Sequence, residues 1–219
     1  MVRIHVLRHG EVASHRGDVP ITSDAVRRAF EVGRGLGRRE PVPVLVLCGD
    51  TRRASDTAAH LARGVADVGA TVLGPRVAFA LRNPDLYLAG TRVDMVSTAD
   101  TFAEQVEGLD AEDVASHEFY SGYLASPDRI GLWLNHDSPP GETAGIVAAR
   151  FRAFARSLID RVPADAGSVV AVTHSPLVRA VGVDLLGRDI GEPPFVAGLL
   201  VEVAADGTMV AEVFEPEAG

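Results

Sequence analysis

Val2-Arg3-Ile4-His5-Val6-Leu7-Arg8-His9-Gly10-Glu11 is a short apolar run that ends in a basic pair and a glycine. Such a run reads as a buried strand entering a loop. From about Thr22 to Arg39 the apolar positions recur at helical spacing, and Thr22 or Ser23 suits the cap. A second apolar run, Val42 to Cys48, passes through Gly49-Asp50-Thr51 into another helical stretch, Arg52 to Val65. The order strand, helix, strand, helix implies a parallel sheet with right-handed crossovers.

Short runs follow at Thr71 to Leu73 and Val77 to Leu81, and the pattern then gives way to an acidic, partly helical segment from about Asn83 to Pro140. We read that segment as an insertion packed over the edge of the sheet. Beyond it Val147, Phe151, Phe154, Leu158 and Val162 fall on one helical face, a core stripe. Ser168 to Val172 is the most β-branched run of the chain, and Thr173-His174-Ser175-Pro176 opens a further helix with proline suited to its first turn. Leu199 to Ala204 and Met209 to Phe214 flank Asp206-Gly207, a hairpin signal. The expectation is a three-layer α/β/α fold. It has a mostly parallel sheet, a C-terminal β-hairpin, and one domain over residues 1–219 with an inserted cap at about 83–140.

All 21 basic residues are arginine. Without lysine, Schiff-base aldol chemistry, a pyridoxal phosphate linkage and the P-loop lysine are excluded. The lone Cys48 permits no intrachain disulfide and no multi-cysteine zinc site, and reads as a buried thiol. No metal motif is present, so no metal and no cofactor is expected. The net charge of −9 argues against nucleic acid and anionic membranes as partners. The charge is uneven: residues 1–60 hold ten arginines against seven acids, whereas Asp94 to Glu118 holds eight acids and no arginine. An arginine-bearing N-terminal third inside an acidic protein suggests a local anion site. The apolar run at the N-terminus is too short for a signal peptide, and a cytoplasmic protein is expected.

Three basic constellations stand where strands end and helices begin, the ligand-binding side of an open parallel sheet. They are Arg8-His9-Gly10-Glu11, Arg52-Arg53-Ala54-Ser55-Asp56-Thr57-Ala58 and Thr173-His174-Ser175. Brought together by neighbouring strands, two imidazoles and two or more guanidiniums make a pocket for a dianion, because arginine forks match phosphate oxygens in pairs.

These motifs resemble the histidine phosphatase superfamily, which includes the cofactor-dependent phosphoglycerate mutases. Arg8-His9-Gly10-Glu11 resembles its N-terminal signature, Asp18-Val19-Pro20-Ile21-Thr22 its D-x-P-L-T segment, and Arg53 through Ala58 its second arginine motif. Gly141-Glu142-Thr143 and Thr173-His174 resemble its later G-E-S and S-H motifs, in the same order. The resemblance covers roughly residues 2–66 and 141–187. It implies catalysis through a phosphohistidine. His9 is the nucleophile, Arg8 and Arg53 bind the phosphoryl oxygens, and His174 donates to the same group.

The chain departs from the family's pattern. Val12 and His15 replace a threonine and an asparagine, and His15 is kept as a phosphate donor. Leu81-Arg82-Asn83-Pro84-Asp85 places an amide where the family's acid stands, so Asp85 is assigned as proton donor, with Asp94 and Glu142 as alternatives. His60, His117 and His136 read as incidental. Tyr120, Tyr123 and Trp133 read as packing within the insertion. The expected activity is that of a metal-independent, histidine-type phosphomonoester hydrolase acting on a small phosphorylated metabolite or a phosphoprotein. A mutase-type phosphotransferase and a regulatory phospholigand-binding protein with weak turnover are the alternatives. Nothing in the sequence sets the oligomeric state.

Overall fold

The computed structural model describes residues 1–14, 17–40, 43–159 and 168–216. The chain runs β1 (Val2–Arg8), α1 (Ser23–Arg39), β2 (Val44–Cys48), α2 (Arg52–Asp67) and β3 (Val72–Val77), then a 3-10 turn at Phe79–Leu81. A small hairpin, β4 (Leu86–Leu88) and β5 (Thr91–Val93), precedes four short helices: α3 (Ala99–Ala103), α4 (Ala111–Ser116), α5 (Glu118–Ala125) and α6 (Arg129–Leu134). The chain then forms α7 (Ala144–Ser157), β6 (Ser168–Thr173), α8 (Ser175–Leu186), β7 (Gly198–Val203) and β8 (Met209–Phe214).

The central sheet has the order β3-β2-β6-β1-β7-β8. Its first four strands are parallel, and the C-terminal hairpin adds two antiparallel ones. Alternation along the strands sorts the core into two layers. Ile4, Val6, Val169 and Ala171 pack with Val147 and Phe151 of α7 and Leu177 and Val181 of α8. Leu7, Val170 and Val172 pack on the other face with Leu36 of α1 and Leu61 of α2. The result is the expected three-layer arrangement. Its register places Arg8 opposite Thr173, and Cys48 opposite Val172, so the three basic constellations leave one end of three adjacent strands.

Thr22, Thr51 and Thr143 cap α1, α2 and α7, each accepting from a backbone N–H of the first turn. The stripe on α7 is buried at Val147, Phe151 and Leu158. Val162 lies outside the described residues.

The structure joins much of the two short runs at residues 71–73 and 77–81. One strand, β3, carries through Gly74-Pro75, and residues 79–81 form the 3-10 turn. Proline is tolerated because β3 is an edge strand, where a missing N–H costs no ladder bond. The segment 83–140 does not merely cover a sheet edge. Its Leu86, Phe102, Tyr120 and Trp133 join the α7/α8 core, while Met95, Val96 and Tyr123 line a cavity with residues from the strand ends.

Helices α1 and α2 approach at glycines. A Cβ on Gly64 would lie 2.0 Å from the Phe30 carbonyl oxygen, and one on Gly33 2.2 Å from that of Leu61. Alanine favours a helix by about 1 kcal/mol over glycine, but overpacking against backbone costs about 1–3 kcal/mol and the neighbour here is not a flexible side chain. Gly64→Ala is therefore expected to lower the stability by about 1–2 kcal/mol, measured by urea denaturation.

Candidate active site

His9 leaves β1 with its backbone N–H donating to the Thr173 carbonyl of β6 at 2.8 Å, which ties the loop to the neighbouring strand. The next residue must be small. A Cβ on Gly10 would meet Cβ of Ala25 at 2.9 Å, and the Gly10 N–H donates to Thr57 Oγ1 at 2.9 Å. Thr57 in turn donates to the Arg53 carbonyl at 2.6 Å, so the first and second arginine motifs are joined through one hydroxyl. Asp18, in the segment before α1, accepts from the Arg52 N–H at 2.7 Å and fixes the start of α2.

The tautomer of His9 follows from its contact. Nδ1 lies 2.7 Å from the Gly10 carbonyl oxygen, which can only accept, so Nδ1 carries a proton, and in the neutral ring Nε2 is the nitrogen with the lone pair. His174 stands at the N-cap of α8, with its ring centroid 5.2 Å from that of His9 at an interplanar angle of 64°. It is 2% exposed, and neither of its ring nitrogens has a hydrogen-bond partner; nor do the buried Nε atoms of Arg8 and Arg53. Buried polar atoms are ordinarily satisfied, so four unsatisfied ones around His9 mark a place for an acceptor-rich group.

Electrostatics agree. Burial, with Arg53, His9, Arg8 and Arg150 nearby, holds His174 well below its ordinary pKa of 6.5, so its imidazole is neutral in the empty pocket near neutral pH. Burial also lowers Arg53, offset by Asp94, Asp18 and Asp50. It lowers Arg8 likewise, offset by Glu192. Because the folded pKa of His174 lies below the unfolded value, the unfolded chain binds the extra proton. Stability from this group is complete above about pH 6.5 and is lost as pH falls below it. Thermal melts of wild type and His174→Asn should therefore converge, or cross, as the pH is lowered from about 7 toward 5.

Arg8, His9, Arg53 and His174 line one cavity of about 590 Å³, together with Asn83, Tyr123, Arg129, Ser175 and Glu192. A second cavity, of about 480 Å³, shares Arg53, Asn83, Met95 and Val96 with it and adds Asp18, Asp50, Asp94 and Glu104. The first cavity holds Arg8, Arg53 and Arg129 beside both imidazoles, and the second adds four carboxylates and Arg92. Of the aromatics in the insertion, Tyr120 and Trp133 are packing residues, donating to the Tyr87 and Glu142 carbonyls at 2.8 and 3.0 Å. Tyr123 differs from the expectation, since one side of it faces the first cavity.

The proton-donor assignment to Asp85 is corrected. Asp85 lines neither cavity. Its carboxylate is gripped by Arg82 and lies 2.6 Å from Arg92 Nε, and these bonds, Arg82 first, hold its pKa down to about 2. A group that stays ionised at neutral pH makes a poor acid. Glu142 is also occupied, accepting from the Asp85 N–H at 2.8 Å and from Arg150 at 3.1 Å. Asp94 faces the second cavity. Asn83 lines both cavities, as do Met95 and Val96. Val12 is apolar and pairs with Ile21, so the site has no hydroxyl there. His15 lies outside the described residues.

Ser175 stands within the Thr173-His174-Ser175 constellation read from the sequence, whereas Arg129 and Glu192 went unmarked. Arg129 and Glu192 come from α6 and from the loop after α8, with no local pattern to single them out. Among the described residues no group of three or more His, Cys, Asp or Glu side chains is placed to hold a metal ion, and no helix is long and apolar enough to cross a membrane.

This is an α/β fold with an arginine- and histidine-lined anion pocket at the C-terminal ends of its parallel strands. Solved structures share the fold. The chain is similar to a mycobacterial glucosyl-3-phosphoglycerate phosphatase at 21% identity, with a TM-score of 0.65 and all of both chains covered. It is similar to a phosphoserine phosphatase from Entamoeba histolytica at 14% identity and a TM-score of 0.61, covering 98% of this chain and 96% of that one. A phosphoglycerate mutase from Bacillus anthracis matches at 16% identity and a TM-score of 0.58, over 97% and 92% of the two chains. No protein-family model and no curated protein sequence matches the chain. The fold is thus the phosphoglycerate-mutase-like fold expected from the motifs.

Proposed function

We propose that the protein is a phosphomonoesterase that works through a phosphohistidine on His9. The observation that carries this reading is the set of buried, unpartnered nitrogens on Arg8, Arg53 and His174 in one cavity with His9, whose Nδ1 is held by the Gly10 carbonyl. In the first step Nε2 attacks phosphorus, the P–O ester bond breaks, and the leaving oxygen takes a proton from solvent water. In the second a water attacks phosphorus and gives up a proton to solvent, the P–N bond breaks, and inorganic phosphate leaves with His9 restored. Arg8 and Arg53 hold the non-bridging oxygens in both steps, and His174 donates its one N–H to the same group as charge builds.

The substrate proposed is a small phosphorylated metabolite, as for the glucosyl-3-phosphoglycerate phosphatase and phosphoserine phosphatase that share the fold. The net charge of −9 speaks against a nucleic-acid substrate. The test is release of phosphate from p-nitrophenyl phosphate with EDTA present and vanadate as competitor. Turnover that survives EDTA and is blocked by vanadate supports the reading. A folded protein that binds neither vanadate nor phosphate contradicts it. A second reading, a phospholigand-binding regulator, rests on the amide of Asn83 in place of a carboxylic acid. It predicts vanadate binding without turnover of any phosphomonoester.

A further inference from the structure

Arg8 is the phosphate-binding arginine with the most contacts of its own. Nη1 donates to the Pro193 carbonyl at 2.8 Å, and the guanidinium carbon lies 3.9 Å from the centre of the Phe195 ring. These two contacts orient the fork and leave its charge in place. A third neutralises it: Nη2 lies 2.9 Å from Glu192 Oε1. Nε, on the same edge of the guanidinium as Nη2, is buried without a partner. That edge is the side-on pair of donors a phosphoryl group grips, and one of its two positions is taken by a carboxylate oxygen.

Glu192 has a second anchorage. Ser175 Oγ donates to its Oε2 at 2.5 Å, and Arg179 Nη1 lies 3.7 Å away. The Glu192 side chain is 48% exposed, so it stands at the mouth of the cavity with water on one side. Arg179 is itself committed to Asp128 and Asp189, which makes it a weak competitor for Glu192.

We propose that Glu192 is a competing counter-ion: its carboxylate holds on Arg8 the place that a phosphoryl oxygen takes during turnover, and is displaced when the ester binds. The inference rests on the phosphate reading above and adds a specificity-determining residue to it. Two anions cannot share one edge of a guanidinium at contact distance without repulsion, so binding of any phosphate-like anion carries the cost of moving Glu192. An ester recovers that cost through contacts of its leaving group, whereas free phosphate does not. Glu192 thereby weakens ester and product by the same factor, which the ester withstands through its leaving-group contacts and the free product does not.

The sign of one measurement decides the matter. A residue that only positions Arg8 lowers phosphate affinity when removed, whereas a competitor raises it. Calorimetric titration of inorganic phosphate and of vanadate into wild type, Glu192→Gln and Glu192→Ala, each checked for an unchanged melting temperature, is the experiment. Both variants are expected to bind phosphate about fivefold to tenfold more tightly, with a matching fall in the product inhibition constant. Equal or weaker binding in the variants, with wild type binding both anions, overturns the proposal and leaves the phosphate reading intact. Absence of binding to wild type and variants alike overturns both.

Discussion

Replacing His9 by alanine is expected to lower turnover of phosphomonoesters by about 10⁴-fold or more, because it removes the atom to which phosphorus is transferred. The expected loss is in kcat, with phosphate and vanadate still bound, since Arg8 has contacts of its own and Arg53 is carried by α2. Arg8 is held by Pro193, Phe195 and Glu192, and the Arg53 carbonyl by Thr57. His9 itself is fixed by backbone: its N–H is bound to Thr173 and its Nδ1 to the Gly10 carbonyl. The substitution leaves the first of these in place, so a folded, anion-binding and inactive variant is the outcome to look for. Steady-state hydrolysis of p-nitrophenyl phosphate, beside vanadate titration of the same preparation, checks it.

Arg53→Ala has the second largest effect. Its guanidinium carries an unpartnered Nε in the cavity and stands at the junction of the two lobes. Loss of one preorganised donor to a developing charge typically costs about 10²–10³ in kcat, and a comparable loss is expected here. Arg53→Lys is expected to recover only part of it. A lysine supplies the charge as a single point and not as a fork, so it cannot satisfy two phosphoryl oxygens in one plane. The chain itself uses arginine at every cationic position. Comparing kcat and KM across the three proteins separates charge from geometry: a defect of charge alone would be repaired by lysine.

The strands that build the site were legible because each is an uninterrupted apolar run ending in polar residues. Residues 2–7 and 168–172 read as buried strands, and β1 and β6 pair side by side with Arg8 opposite Thr173. The hairpin at Asp206-Gly207 was legible for its turn residues, and Gly207 has a φ of 84° that glycine adopts without strain. What failed were assignments that depend on who sits across from a residue. Asp85 follows Pro84 in a plausible place for an acid, yet its role is set by Arg82 three residues before it and Arg92 seven after. No periodicity announces that pairing. Glu192 lies 184 positions from Arg8, in a loop with no helical or strand pattern, and only the fold brings the two together. Tyr123 shows the same limit, for its burial was foreseen but the cavity beside it was not.

The central claim is a covalent phosphohistidine on His9, and it is tested most directly by trapping. Wild type and His9→Ala are mixed with a ³²P-labelled phosphomonoester in EDTA, quenched within milliseconds in alkaline detergent, and the protein-bound label is followed through alkali and acid. The account predicts a burst of label on wild type that survives alkali, is released by acid and maps to the peptide containing His9, with none on the variant. Turnover by wild type without bound label at any time of quenching, or equal turnover by His9→Ala, would contradict it.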